Sequence, residues 1–309
     1  MPDGNERPAP ASARVALDAR LEAAELAREL RAHARGDVLF DAASRGRYAT
    51  DASIYQIMPV GVFVPAREED ALTALQIGAQ RKIPVLARGG GTSQCGQTVG
   101  AALVIDCSKH LRHVTALDLD RGEVEVQPGI TLDALNAQLK PHGVWYPVDV
   151  STAAQATLGG MAGNNSCGSR SIAYGNMVHN VAAIDAWLAD GSAASFGPLA
   201  QAQGRAREIG EAIGAIAQRE ADEIDRLWPT VMRRVGGYNL DVFRPRSQRP
   251  YTADGSVNLA HLLVGSEGTL ALTRRLRLKL APLPAQRVLG VVNFPTFYAA
   301  MDAAQHIVT

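Results

Sequence analysis

The sequence predicts an α+β fold with mixed sheets, on three observations. From residue 59 onward, short apolar runs with strand-like composition alternate with helical stretches. Some of those runs lie close enough for hairpins, while others are joined through a helix. At 309 residues, against about 100–200 for a typical domain, the chain can bury a substantial core in roughly two domains.

In chain order, residues 1–13 are rich in Pro and Ala and read as disordered. "VALDARLEAAELARELRAHA" (15–34) then sets Leu17, Leu21, Leu26 and Leu30 near helical spacing among charges. That amphipathic face requires a partner surface, and packing is its plain explanation. "VGVFVP" (60–65) reads as a strand, "EEDALTALQIGAQRK" (68–82) as a helix, and "IPVLA", "ALVID", "HVTALDL" and "EVEVQP" as further strands. "TLDALNAQLKPHG" (131–143) begins a second helix with Thr131 as its N-cap. "VAAIDAWLADG" (181–191) is an apolar strand. Residues 197–258 form a polar, helical excursion broken by Gly236-Gly237 and Pro245. "AHLLVGSEGTLALTRRLRLKLAPLP" (260–284) reads as strand, turn and strand, its second half alternating Leu with Arg or Lys as a half-exposed strand does. No internal repeat is visible.

The last segment pairs a strand, "RVLGVVNFP" (287–295), with a helix, "TFYAAMDAAQHIV" (296–308), and offers them no neighbours. Two readings stand: the first strand and helix of a second, truncated domain, or a pair that packs back on the first.

Composition removes several classes of function. Lys plus Arg and Asp plus Glu both number 31, so the formal charge is zero, and no basic block supplies a nucleic-acid footprint. Apolar residues make up 47% of the chain, yet charges interrupt every run before the roughly 18 residues of a membrane span. The start, "MPDGNERPAPASAR", lacks a signal peptide's apolar centre. A soluble, cytoplasmic protein is expected. Cys95, Cys107 and Cys167 are too dispersed for a disulfide framework or a Cys-x-x-Cys metal pair, so no metal site is assigned.

Function is concentrated in "ARGGGTSQCGQTVG" (87–100), which follows a strand. Glycines let successive backbone N–H groups converge on an anion, and Thr92, Ser93 and Thr98 add hydroxyls. The triphosphate-binding pattern G-x-x-x-x-G-K-[ST] fails at Gln97, which stands where lysine is needed. The dinucleotide pattern G-x-G-x-x-G fails at Gln94. What remains is a diphosphate cradle of another kind, with Arg88 beside it as a fixed charge. A second stretch, "TLGGMAGNNSCGS" (157–169), is equally rich in small residues, and one extended ligand with a central pyrophosphate would use both.

Four motifs in order, "RGGGTSQCGQ" (88–97), "QPGITLDALNAQLKPHGVWYPVDVST" (127–152), "TLGGMAGNNSCGSRSIAYG" (157–175) and "LLVGSEGTLAL" (262–272), resemble the flavin-binding half of the FAD-linked oxidases typified by vanillyl-alcohol oxidase and para-cresol methylhydroxylase. The likeness spans roughly residues 40–285. Within that family the chain is most similar to the branch of glycolate oxidase flavin subunits, D-lactate dehydrogenases and D-2-hydroxyglutarate dehydrogenases. "SRSIAYGNMVHNV" (169–181) and "VGGYNLD" (235–241) resemble in particular the long bacterial forms fused to a ferredoxin-like region.

The resemblance implies a tail and helix over 1–35, a two-subdomain FAD-binding domain over 36–285, and the start of a substrate-enclosing cap domain over 286–309. It implies noncovalent FAD, since Thr92 follows the glycines where some relatives carry a flavin-linked histidine. Carried over by position, Gly89, Gly90, Gly91, Thr92 and Ser93 would hold the pyrophosphate, with Gly96 and Gln97 closing the loop. Pro147, Asp149, Ser151 and Thr152 would run along the flavin and ribityl chain, Asp149 having a structural turn role as its alternative. Gly159, Gly160, Asn164, Ser166, Gly168, Tyr174 and Gly175 would line the diphosphate and ring, and Glu267 and Gly268 the adenosine or ring-facing wall. Cys95 reads as a loop-packing thiol or a redox group, and His110, His113, His142 and His179 as surface residues or a base.

The implied reaction is oxidation of a D-2-hydroxy acid to the 2-oxo acid, with hydride passing to the flavin and electrons to an acceptor that includes an iron–sulfur domain or subunit in some relatives. No catalytic residue is assigned, because in the family the base and any metal ligands come mainly from beyond Thr309. The chain alone is therefore expected to carry cofactor without full turnover. A flavin-binding electron-transfer subunit with no alcohol substrate, or a chain that has lost flavin, are the competing readings.

Overall fold

The computed structural model describes residues 11–231, 233–244, 251–286 and 288–307. The expected α+β arrangement resolves into two main sheets and a two-stranded one, with helices laid against them. Helix α1 (Ala11–His33) packs on the first sheet through Leu26 and Leu30, one turn apart and fully buried, while Leu21 stays exposed. Strand β1 (Gly36–Leu39) and helix α2 (Ala42–Arg47) follow, then β2 (Gly61–Pro65), α3 (Glu68–Gln80), β3 (Val85–Arg88) and β4 (Leu103–Asp106). The sheet runs β1-β2-β4-β3. Its β2 and β3 are parallel to β4, and β1 is antiparallel at one edge. Every residue of β2 and β4 is buried, because strands covered on both faces have no polar side to show.

The second sheet is antiparallel throughout, in the order β5-β6-β10-β8-β9. Strands β5 (Val114–Asp118) and β6 (Glu123–Val126) form a hairpin, and α4 (Leu132–Leu139) follows with Thr131 accepting from the Ala134 N–H as its N-cap. A short β7 (Val144–Trp145) leads to three short helices, α5 (Leu158–Asn164), α6 (Ser171–Tyr174) and α7 (Met177–Asn180). Strands β8 (Val181–Trp187) and β9 (Ala193–Phe196) form the second hairpin, covered by α8 (Gly204–Arg219) and then α9 (Ala221–Leu227). Last come α10 (Ala260–Leu263), the central strand β10 (Leu272–Lys279), β11 (Ala281–Pro282) paired with β7, and α11 (Phe297–Ile307). On β10, Leu272, Leu276 and Leu278 enter the core while Arg277 and Lys279 are only partly buried, the alternation read from sequence.

The two sheets are joined at one buried carboxylate. Glu68, at the start of α3, accepts from Arg274 Nε at 2.7 Å, Arg275 Nε at 2.8 Å and Gln127 Nε2 at 2.9 Å. Burial pushes its pKa up, but the hydrogen bonds from Arg275, Gln127 and Arg274 win and hold it below the usual range.

Two sequence expectations are corrected. "AHLLV" is not a strand: Asn258 spans the gap between Ala182 O, to which it donates, and Ala260 N–H, from which it accepts, and this starts the α10 turn. "RVLGVVNFP" makes no strand among its described residues, because extended backbone becomes a strand only beside a ladder partner; Val288, Leu289 and Val291 are largely exposed. Pro245 lies outside the described residues. Among the described residues no helix is long and apolar enough to cross a membrane.

Candidate functional site

Three loops meet where the sheets face each other. The first, 89–98, leaves the end of β3; the second, 150–168, contains α5; the third, 265–271, enters β10. The first two touch backbone to backbone. A Cβ on Gly90 would lie 2.0 Å from Gln155 O, and one on Gly89 would lie 1.9 Å from Thr157 Oγ1, so neither position admits a side chain. The third loop is stitched to α5 by Gly265 N–H donating to Ala162 O and Glu267 N–H donating to Gly163 O, both at 2.9 Å.

The loops enclose three connected cavities. A chamber lies between 89–98 and 150–167 and includes Gly89, Gly90, Gly91, Thr92, Ser93, Ser151, Thr152, Asn164 and Ser166. It shares Gly89, Ser93, Gln97, Thr98, Thr157 and Gly160 with a middle cavity that adds Arg88, Gly159, Glu267 and Gly268. The middle cavity opens past Ala87, Ala271 and Leu272 into an apolar slot walled by Leu75, Val85 and Trp187.

Thr157 is the feature that calls for a ligand. It is 2% exposed, occupies the N-cap position of α5 without using its hydroxyl there, and its Oγ1 has no hydrogen-bond partner. A buried hydroxyl with its hydrogen bond left unmade costs about 1–3 kcal/mol; this oxygen is covered by the backbone of Gly89, and its residue stands in the wall of both the chamber and the middle cavity. The chamber walls carry no charged side chain; they offer amides, hydroxyls and two thiols, Cys95 and Cys167. Cys107, in the middle cavity, is buried, and that burial pushes its thiol up to about 12.

Arg88 lines the middle cavity, but its guanidinium turns inward. Nη1 donates to Tyr48 O and Thr98 O at 3.1 and 3.0 Å, and Nη2 to Thr50 O at 2.7 Å, while the group stacks on the Tyr48 ring. Burial lowers its pKa. The guanidinium thus braces the first loop, and the fixed charge read from sequence is turned toward these carbonyls.

Six other expected residues do not line the cavities. Gly96 packs on Tyr55, Gly175 on His179, and Tyr174 edge-on against Trp145, while Pro147 is buried. Asp149 accepts from Arg170 N–H and Ser169 Oγ and sits against Gly168, which makes it the turn carboxylate of the alternative reading. His179 accepts from Asn176 N–H and lies against Tyr251, its pKa lowered first by burial. Sequence reading passed over Thr157 and Ser266; the one available signal for Thr157 was a hydroxyl residue directly before a helix start.

Residues 59–197 match a family model described as FAD binding domain. Over those residues the chain is similar to an FAD-binding domain. The chain is 32% identical over 286 residues to D-2-hydroxyglutarate dehydrogenase of Escherichia coli (strain K12), covering 88% of this chain and 27% of that protein. It is 31% identical over 281 residues to the D-2-hydroxyglutarate dehydrogenase of Pseudomonas putida, covering 87% and 27%. The chain thus spans about a quarter of the length of these relatives. Its fold matches alkyldihydroxyacetonephosphate synthase with a TM-score of 0.64 at 19% identity, over 92% of this chain and 45% of that one. FAD fits the observed donor set: the unpartnered Thr157 hydroxyl, two loops in backbone contact, and a chamber free of carboxylates.

Proposed function

We propose that FAD lies extended through the three cavities and that the bound flavin serves oxidation of a D-2-hydroxy acid to the 2-oxo acid. The observation that carries this reading is the meeting of the two glycine loops around the unpartnered Thr157 hydroxyl. In this arrangement the flavin end would occupy the chamber, the pyrophosphate the junction of the chamber with the middle cavity, and the adenine the apolar slot, where Trp187 and Leu75 suit a flat base.

Bound FAD would supply a two-electron acceptor able to take hydride. The chain's own residues bind and orient. Thr157, Ser93 and the 89–91 amides would satisfy phosphate oxygens, and Arg88 holds that loop in shape from behind. No histidine lines the three cavities, which supports noncovalent retention. We further propose subdomains within 36–285, a cap beginning near 286, an electron acceptor with or without an iron–sulfur partner, and, from three free cysteines, a cytoplasmic location.

Two measurements test this. Purified protein should be yellow and release about one FAD per chain on denaturation, as one site requires; colourless protein that takes up no added FAD refutes the cofactor reading. In a protein of the relatives' full length that contains this chain, anaerobic D-2-hydroxyglutarate, D-lactate or glycolate should bleach the bound flavin. Bleaching by none of the three would favour an electron-transfer subunit.

A further inference from the structure

Glu267 is an unusual residue to find beside a diphosphate. Its Oε1 accepts from Asn164 Nδ2 at 3.0 Å and from Gln97 Nε2 at 3.5 Å, so one carboxylate oxygen spans from the second loop to the first. It is held there with φ of 53°, a left-handed conformation costly for a residue with a Cβ, between Gly265 at 86° and Gly268 at 73°. The backbone is locked by its N–H donating to Gly163 O.

Among the residues lining the three cavities, Arg88 and Glu267 alone carry charge, and the Arg88 guanidinium is committed to three carbonyls. An entering anion therefore meets amides, hydroxyls and one fixed carboxylate, with no free cation. Such a site tolerates phosphate oxygens that share their charge and penalises concentrated charge. Each phosphate of a pyrophosphate diester bears one negative charge, whereas a terminal phosphate monoester bears about 1.5 to 2 at neutral pH.

We propose that Glu267 is a specificity-determining residue that excludes terminal phosphate monoesters and so selects the dinucleotide FAD over FMN or ADP. This rests on the FAD reading above. The carboxylate joins the two loops and repels a ligand whose phosphate ends between them.

The test is calorimetric titration of wild-type apoprotein, Glu267→Gln and Glu267→Gly with FAD, FMN and ADP, alongside thermal midpoints without ligand. Glu267→Gln keeps an acceptor oxygen and removes the charge. Its binding of FMN and ADP should tighten about three- to tenfold more than its binding of FAD, from an excess of about half to one charge near the carboxylate. Glu267→Gly relieves the left-handed strain and loses the bridge, so its unliganded midpoint should match or exceed wild type while FAD binds more weakly. Equal changes for all three ligands in Glu267→Gln, or none, would overturn the proposal while leaving FAD binding intact. A Glu267→Gly midpoint several degrees below wild type would overturn it too, by making the carboxylate a structural stitch alone. Wild-type protein that binds no FAD would overturn this inference and the cofactor reading together.

Discussion

Gly90→Ala is the smallest change that should separate the two loops. The added methyl would start 2.0 Å from Gln155 O and 2.9 Å from Gln155 C, both backbone atoms that cannot rotate away. Reaching the 3.4 Å of ordinary contact requires the loops to part by about 1.4 Å. Overpacking of this kind costs about 1–3 kcal/mol of stability. Because Thr157 and the 89–91 amides must converge on the same phosphates, the displacement should weaken FAD binding by about ten- to a hundredfold. Flavin fluorescence titration gives the affinity, and thermal melts with and without FAD give the stability. Saturation at 100 times the dissociation constant stabilises by about 2.7 kcal/mol, and that increment should shrink in the variant at equal FAD. Gly236→Ala is the control, since its added Cβ would meet nothing within 4 Å. If Gly90→Ala binds FAD within twofold of wild type, the loops do not share one ligand.

Other perturbations act on the surrounding frame. Glu68→Ala should destabilise the protein by about 3 kcal/mol in urea denaturation, because it strands Arg274 and leaves Arg275 with Glu125 alone; the discount from a fully buried pair reflects arginine side chains 35% and 32% exposed. The Glu68 carboxyl is held below its ordinary 4.5, so its contribution is present above pH 4.5 and is lost as pH falls through the folded value; Glu68→Gln should flatten that part of the stability profile. His261, 1% exposed, is lowered to about 3 by burial, with Lys279 and His179 adding repulsion. The unfolded chain therefore takes up a proton near pH 6.5 that the fold refuses until about 3, and stability should fall across that window by up to about 1.4 kcal/mol per pH unit. His261→Gln should remove the slope in pH-dependent melts, at the cost of lower stability at pH 8.

Much of the frame was legible because it obeys local rules. The Thr131 cap, the buried run at Gly61–Pro65 and the alternation along Leu272–Lys279 each report a period or a cap that tertiary contacts then confirm. The failures share a cause. "AHLLV" turns into helix because Asn258 bonds to Ala182 on a distant strand, and apolar composition says nothing of that partner. At the site, glycine-rich composition pointed to the first two loops and the family resemblance to the third, and fifteen of the anticipated residues line the cavities: Arg88, Gly89, Gly90, Gly91, Thr92, Ser93, Gln97, Ser151, Thr152, Gly159, Gly160, Asn164, Ser166, Glu267 and Gly268. Direction was not legible. Whether Arg88 points at a ligand or at the Tyr48, Thr50 and Thr98 carbonyls depends on the turn that ends α2, 40 and 38 residues away in sequence, and on a loop ten residues on. At Gly89 and Gly90 the structure adds a second reason for glycine, room for the opposing loop as well as exposed amides.

The claim on which the rest depends is that the first and second loops grip one FAD, and each loop carries its own reporter. Cys95 and Cys167 line the chamber from opposite loops, while Cys107 is buried with its thiol raised to about 12 and serves as the unreactive reference. Alkylation of each cysteine, followed by mass spectrometry across an FAD titration, should show Cys95 and Cys167 protected together at a single FAD concentration. Protection of one without the other, or two distinct midpoints, would contradict a shared seat.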